Sequence, residues 1–249
     1  MNSKIILNKY FILLIINLSV IFSQAQAFVP GDILINANYG GPQVTPAILK
    51  TALKVYYKSI TNANSTYVFS VKNSGVLNAK LEYAIYDNLG LGFASSYWNM
   101  AVDMQNNYID NNPTNGISES YVDTYKLNIS ALAIGIRGNY HLLDETDTKW
   151  IDPYFGITLG ITKYNYNLDF SSTYPDKKSV EAYDFFKSGY ASRFLKPNYS
   201  SYVSTTFGVR LYPIKYFGFN FEAGWDRGAF LFGGVVFKFH TKPIKTFQD

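Results

Sequence analysis

The alternation of side chains in residues 217–225 limits what this chain can fold into more than any other feature. Large apolar residues or alanine occupy every second position: Phe217, Phe219, Phe221, Ala223 and Trp225. The positions between them carry glycine, amide and carboxylate groups: Gly218, Asn220, Glu222 and Gly224. Successive side chains of a β-strand point to opposite faces, so this segment predicts a strand with one apolar and one polar face. In a closed transmembrane barrel the apolar face contacts lipid and the polar face lines the lumen.

Similar alternation recurs along the chain and predicts eight strands, most of them with apolar side chains on a single face. The predicted strands are Asp32–Gly40, Gly75–Tyr86, Leu89–Val102, Tyr125–Tyr140, Tyr154–Tyr166, Tyr202–Tyr212, Phe217–Trp225 and Ala229–Phe239. In the fourth strand, Leu127 and Ile129 fall on the otherwise polar face. This change of phase predicts a β-bulge near Ser130.

The N-terminus indicates export across a membrane. Lys4 and Lys9 precede the apolar stretch 10–22, and Ala25-Gln26-Ala27 supplies the small residues of a signal-peptidase site. The apolar stretch is shorter than the roughly 20 residues that a membrane-spanning helix needs. We therefore expect a cleaved signal peptide over residues 1–27 and one barrel domain over residues 28–249.

Charge and cysteine content exclude several classes of protein. Loss of the signal removes two lysines, so the formal charge falls from +4 to +2, which disfavours a nucleic-acid-binding role. The chain has no cysteine, which excludes disulfides, thiolate metal sites and an acylated lipoprotein anchor. No apolar segment of helical length follows residue 28, so a membrane protein built from this chain must be a barrel.

The connections between the predicted strands alternate in length. Short or moderate turns are expected at Asp87-Asn88, at His141–Asp152 and at Pro213–Tyr216, whereas Gly41–Ser74, Gln105–Val122 and Asp169–Ser201 read as long loops. Outer-membrane barrels place short turns in the periplasm and long loops outside the cell. The pattern predicts an outer-membrane protein with both termini in the periplasm.

Charged residues on the predicted luminal face fall in one zone, a few residues from the short turns. This predicted luminal charge cluster comprises Glu82, Arg137, Arg210 and Glu222, with Asp32, Lys80 and Lys238 nearby. An eight-stranded barrel is narrow enough for side chains to fill, and buried charges are tolerated when they are paired. Two interpretations remain open, a structural plug of charge pairs and a gated ion path.

Enzymatic sites find little support in the sequence. The two histidines, His141 and His240, map to the periplasmic end, so no Ser/His or Asp/His pair faces the outside. We expect His141 to be a turn residue. The sequence predicts no catalytic residues, no metal site and no cofactor.

One segment of the first long loop predicts a helix. Thr45 and Pro46 are a favourable N-cap and first helical residue, and they open the run 47–59. Lys50, Lys54 and Lys58 recur on one face, while Ile48, Ala52, Val55 and Tyr56 approximate another. This helix either rests on the lipopolysaccharide surface of the outer leaflet or packs across the barrel mouth.

These features together resemble the small eight-stranded outer-membrane barrels, the OmpA-like transmembrane domain and the OmpX-like proteins. The resemblance rests on the hairpin 79–92, on Gly135–Tyr140 and on the aromatic terminal strand that ends at Phe239. It implies an all-β, eight-stranded antiparallel up-and-down transmembrane β-barrel with long extracellular loops. It also implies a monomer that contacts outer-membrane lipid and lipopolysaccharide and meets the barrel-assembly machinery during insertion.

The expected function is a non-enzymatic structural or surface-interaction role, with a lumen plugged by charge pairs. The alternative is a narrow transport channel or an accessory outer-membrane subunit of a secretion machine. A soluble lipid-carrying barrel would need an apolar lumen and a polar exterior, which is the reverse of the predicted faces. The sequence identifies no extracellular ligand.

Overall fold

A computed structural model of the chain describes residues 28–60, 65–110, 118–143, 150–173 and 199–241. The predicted signal peptide lies outside the described residues and stays a prediction, and the residues beyond 241 also lie outside them. The fold consists of β1 Asp32–Gln43, α1 Val44–Ile60, β2 Ser65–Tyr86, β3 Leu89–Asp110, β4 Glu119–His141, β5 Ile151–Ser172, β6 Tyr199–Ile214, β7 Phe217–Asp226 and β8 Ala229–His240.

The eight strands close into one barrel in chain order, each antiparallel to its neighbours. Closure is made by β1, in which Ile35 lies opposite Leu81 of β2 on one side and Phe237 of β8 on the other. Closure pairs the backbone groups of adjacent strands, as a sheet in a bilayer requires. The predicted eight-stranded up-and-down barrel is confirmed. We call the end that carries Phe28, Thr241 and the Asp87-Asn88 turn the basal end, and the opposite end the outer end.

An exposed apolar belt surrounds the basal part of the barrel and identifies it as the membrane-spanning part. On β4 the belt runs from Leu132 to Tyr140, close to the 9–11 residues of a transmembrane strand. Exposed aromatic residues border the belt at both ends, as the interfacial girdles of membrane barrels do. They are Tyr86, Tyr140, Trp150 and Tyr216 towards the basal end and Tyr39, Tyr97 and Trp225 towards the outer end.

Beyond the outer girdle the alternation continues, but its polarity inverts. On β3 the inward residues Trp98, Met100, Val102 and Met104 are buried together, whereas Asn99, Asp103 and Gln105 point outward. On β5, Lys163, Asn165 and Asn167 likewise face outward. The strands here leave lipid for water, so their outer face becomes polar and their inner face becomes the apolar core.

This inversion explains why Leu127 and Ile129 are apolar although they lie on the inward face of β4, and it requires no change in the alternation of side chains. Both residues pack inward against the apolar cluster, and β4 keeps continuous register with both neighbours through Ser130, which lies opposite Asn99 and Asn165. The predicted bulge near Ser130 is therefore wrong. A register shift occurs instead in β2, between Asn73 and Val76, where Gly75 adopts a positive φ of 71°.

The strands extend further at the outer end than the sequence predicted. Three segments interpreted as long loops are partly strand: β2 begins at Ser65, β3 ends at Asp110, and β5 ends at Ser172. Only residues 111–118 separate β3 from β4. The sequence overestimates the lengths of these loops. The outer ends of the strands carry polar side chains on their outward face, and such segments look like loops when every strand is expected to be apolar on that face. Within the described residues, no helix has the length and apolarity of a membrane-crossing helix.

Candidate functional site

The lumen at the level of the membrane belt contains two groups of paired charges. The first, which we call the basal network, comprises Glu82, His141, Asp152 and Arg210. The second, the central network, comprises Lys80, Arg137, Tyr154 and Glu222. Each group draws its four members from four different strands, so barrel closure brings them together.

Arg210 is the centre of the basal network and is 1% exposed. Its Nη2 donates to Glu82 Oε2 at 2.5 Å, and its Nη1 donates to Asp152 Oδ2 at 3.1 Å. His141 bridges the same two carboxylates, with Nδ1 2.6 Å from Asp152 Oδ1 and Nε2 2.8 Å from Glu82 Oε1. The Tyr154 ring lies 4.1 Å from the guanidinium carbon of Arg210. Two buried carboxylates thus share one guanidinium and one imidazole as partners, and buried charges are tolerated when they are paired and hydrogen-bonded in this way.

Glu222 is the centre of the central network. It forms ion pairs with Lys80 and with Arg137, whose Nη2 is 3.3 Å from Glu222 Oε1. The Tyr154 hydroxyl donates to the same oxygen at 2.5 Å. Arg137 also donates to the Thr206 hydroxyl at 2.8 Å. Glu222 of β7 therefore pairs with two cations, Lys80 of β2 and Arg137 of β4.

Glycines on the luminal face leave room for these large polar groups. A Cβ at Gly90 would overlap the Glu82 carboxylate, and one at Gly208 would overlap the Tyr154 ring. These glycines allow large side chains from neighbouring strands to lie across the narrow lumen.

Apolar and aromatic groups cover the networks on both sides. At the basal end, Phe28 stacks on His141 with ring centroids 3.4 Å apart, and it packs in a buried cluster with Leu34 and Tyr212. At the outer end, Arg227 folds inward, donates to Thr162 and lies 3.2 Å from the centroid of the Tyr202 ring. Burial lowers the pKa of Arg227 from its ordinary value. The inverted apolar core lies further towards the outer end.

Five of the seven residues in the predicted luminal charge cluster join the two networks, and the other two lie apart from them. Asp32 and Lys238 sit together at the basal mouth, with Lys238 Nζ 4.0 Å from Asp32 Oδ2. His240 contacts the other oxygen of Asp32 through Nδ1 at 2.9 Å.

Sequence reasoning missed His141, Asp152 and Tyr154. The prediction that His141 is a turn residue is wrong, because it is the last residue of β4 and is 1% exposed. The signal that could have found them is the two-residue period of a strand. His141 lies two and four positions beyond the inward-facing Asn139 and Arg137, so its side chain also faces inward. Asp152 and Tyr154 precede Thr158 with the same parity on β5. Among the described residues, no group of His, Cys, Asp and Glu side chains is arranged to hold a metal ion.

Helix α1 begins at Val44, one residue before the predicted N-cap, within the usual uncertainty of helix ends. Leu49 and Leu53 pack against the apolar core at the outer end, and Lys50, Lys54 and Lys58 are exposed. On the predicted apolar face, Ile48 and Val55 are 63% and 66% exposed, so these two side chains do not pack against the barrel. The i, i+4 pair Leu49 and Leu53 faces the barrel instead, which leaves an exposed apolar stripe beside the lysines.

Two solved outer-membrane barrels have a similar fold. The outer membrane protein OprG from Pseudomonas aeruginosa is 13% identical, with a TM-score of 0.44, over 88% of this chain and 100% of that one. The N-terminal β-barrel domain of Pseudomonas aeruginosa OprF is 12% identical, with a TM-score of 0.34, over 84% of this chain and 98% of that one. No protein-family model and no curated protein matches the sequence.

Proposed function

We propose that this chain is a non-enzymatic outer-membrane β-barrel with a structural or surface-interaction role, whose lumen is closed by charge pairs. The observation that carries the proposal is the pair of buried networks centred on Arg210 and Glu222, which bridge several strands at the level of the membrane belt. A solute would have to break several charge-assisted hydrogen bonds to pass.

We place the basal end, with both termini, in the periplasm, and we expect a monomer inserted by the barrel-assembly machinery. The short Asp87-Asn88 and Lys215-Tyr216 turns at the basal end support this orientation, because outer-membrane barrels keep their short turns on the periplasmic side. The polar outward face of the strands beyond the outer girdle also suits the extracellular side.

The arrangement of His141 supports a non-enzymatic role. His141 and Asp152 are within hydrogen-bond distance, as in a catalytic pair, but Asp152 is 3% exposed and Phe28 covers the imidazole. A general base needs access to the proton that it abstracts. Both imidazole nitrogens already contact carboxylates, so the pair serves the network.

Conductance tests the plug directly. We expect the parent barrel in planar bilayers to show no steady single-channel current. Glu222→Gln is expected to produce a measurable current, because loss of the carboxylate leaves Lys80 and Arg137 without their shared partner and draws water into the lumen. Lys163→Gln, which neutralises an exposed outward residue, serves as the control. Steady current in the parent that neither substitution changes would contradict the plug.

A narrow transport channel is the second candidate, and one observation favours it. Among the described residues, the Asn36 side-chain amide and the Ser204 hydroxyl are buried without a hydrogen-bond partner in the barrel. Buried polar groups of this kind ordinarily bond to water. Water bonded to these groups, on β1 and β6, would hydrate the lumen and give the parent a small steady current in the same experiment.

We also propose that α1 supplies the surface interaction, by contacting the phosphate groups of lipopolysaccharide in the outer leaflet. Its three exposed lysines and the exposed side chains of Ile48 and Val55 together form a basic amphipathic surface. β1 leads from Tyr39 in the outer girdle to the start of α1 at Val44, so the helix begins near the membrane surface.

The triple variant Lys50→Gln, Lys54→Gln, Lys58→Gln tests this contact. We expect weaker binding of lipopolysaccharide to the purified barrel, by roughly fivefold for each lysine at low salt, and a smaller salt dependence. The matched control neutralises three exposed lysines of the outer wall, Lys72, Lys126 and Lys163. Equal losses in the two triple variants would contradict a contact specific to the helix.

A further inference from the structure

The imidazole of His141, at the basal end of the barrel, has a carboxylate at each of its two ring nitrogens. Nδ1 is 2.6 Å from Asp152 Oδ1, and Nε2 is 2.8 Å from Glu82 Oε1. A neutral imidazole carries a hydrogen on one nitrogen and a lone pair on the other. A neutral His141 would therefore direct its lone pair at one of these two oxygens, so the arrangement needs one further proton, on the ring or on a carboxyl group.

The other partners of the two carboxyl groups place this proton on the ring. Glu82 Oε2 accepts hydrogen bonds from Arg210 Nη2 at 2.5 Å and from Asn139 Nδ2 at 2.6 Å. Asp152 Oδ2 accepts one from Arg210 Nη1 at 3.1 Å. Hydrogen bonds that a carboxyl group accepts favour its ionised form. Both groups are therefore held as carboxylates, which leaves the imidazole to carry the proton.

Aromatic rings next to the imidazole also favour its charged form. Phe28 stacks on the face of His141 with ring centroids 3.4 Å apart and ring planes 14° apart, and the Tyr154 ring is 5.7 Å away. A cation over the face of an aromatic ring is attracted by the ring electrons. Burial opposes the charge, since His141 is 1% exposed, but two carboxylates and a stacked ring act against this penalty.

The charged and titratable groups around the imidazole come from β1, β2, β5, β6 and β8. They are Asp32, Glu82, Asp152, Tyr154, Arg210, Tyr212 and Lys238. Lys238 interacts with Asp32 and with Asp152, and Arg210 pairs with Glu82 and Asp152. Three carboxylates in this set thus face two cations, and an imidazolium at His141 supplies the third positive charge.

We propose that His141 is held as an imidazolium and acts as a pH-sensitive clasp at the basal end, joining Glu82 of β2 to Asp152 of β5. As the pH rises the ring gives one proton to water, and the nitrogen that loses it turns a lone pair towards a carboxylate. That contact opens, and Phe28 loses its cationic partner in the same step. The clasp concerns the cohesion of the basal end and does not depend on whether the lumen conducts.

Nitrogen NMR of the full, untagged barrel with isotope-labelled histidine tests the protonation directly. The chain has two histidines, so His240→Gln identifies the signals of His141. At pH 7 we expect both ring nitrogens of His141 to carry hydrogen, whereas an ordinary histidine is mostly neutral above about pH 6.5. A neutral His141 ring at pH 7, with one bare nitrogen, would overturn the proposal.

The stability of the barrel in lipid vesicles is expected to depend on the same proton. The folded barrel holds a proton that the unfolded chain releases above about pH 6.5, so stability falls as the pH rises. Between about pH 6.5 and 8, the unfolding equilibrium constant of the parent should rise by up to about tenfold per pH unit relative to that of His141→Gln, which lacks the titrating ring. His240→Gln is the matched control and should keep the slope of the parent, since His240 is 54% exposed and contacts a single carboxylate.

Equal pH slopes for the parent and His141→Gln would contradict the clasp. Should His141→Gln fail to fold, Asp152→Asn allows the same comparison, because the amide of the new side chain can donate to a bare ring nitrogen. A neutral His141 then satisfies both neighbours, and the pH slope should shrink towards zero relative to the parent. A slope that Asp152→Asn leaves unchanged would show that the two carboxylates do not hold the proton on the ring.

Discussion

Arg210→Met is expected to destabilise the folded barrel by about 3–5 kcal/mol if the lumen at this level is dry. The substitution keeps much of the side-chain volume but leaves Glu82 and Asp152 with His141 as their remaining bridging partner. A carboxylate that loses its partner in a confined lumen retains its desolvation cost without the compensating attraction. Urea titration of folding into lipid vesicles, followed by tryptophan fluorescence, measures the change.

The structure also predicts which pairs are coupled in double-mutant cycles. Arg210 contacts Glu82, and Arg137 contacts Glu222, whereas no direct ion pair joins Arg137 to Glu82 among the described contacts. The cycle of Arg210→Met with Glu82→Gln should therefore show a larger coupling energy than the cycle of Arg137→Met with Glu82→Gln. Lys163→Met, on the exposed outer wall, is the control for loss of a cation. Additive effects in both cycles would indicate independently solvated side chains in a wet channel.

Ile136→Arg is expected to destabilise the barrel by roughly 2–4 kcal/mol, because it places a cation on the lipid face near the middle of the membrane belt. Ile136 lies midway between Leu132 and Tyr140, which bound the belt on β4. Folding efficiency and urea stability in vesicles measure the effect.

The matched control for this substitution is Asn128→Arg, on the same strand and the same outward face. Asn128 is exposed beyond the outer girdle, where the outward surface faces water, so an arginine there should change stability by less than about 0.5 kcal/mol. A similar loss in both variants would place the membrane boundary elsewhere and refute the inversion of polarity above Tyr97 and Leu132.

Local alternation in the sequence was sufficient to predict the architecture. The two-residue period of side chains such as Phe217, Phe219 and Phe221 is a property of each strand by itself, and it defines the face that meets lipid without any knowledge of the partners. Strand number, antiparallel hairpins and the polar lumen follow from the same period. The charged residues of the lumen were predictable for this reason, since Glu82, Arg137, Arg210 and Glu222 all share the polar parity.

Ring closure and the height of the membrane belt decided the rest. Arg210 pairs with Glu82, 128 positions away, because β2 and β6 face each other across the lumen, and no local pattern records that contact. His141 and Asp152 were assigned to a turn because strand ends carry a weak signal. Leu127 and Ile129 are apolar but face inward, which is the opposite of what a lipid-facing strand requires. The position of the bilayer boundary explains this, because β4 has left the membrane at these residues. Alternation defines two faces of a strand, but the surroundings on each side determine which face must be apolar.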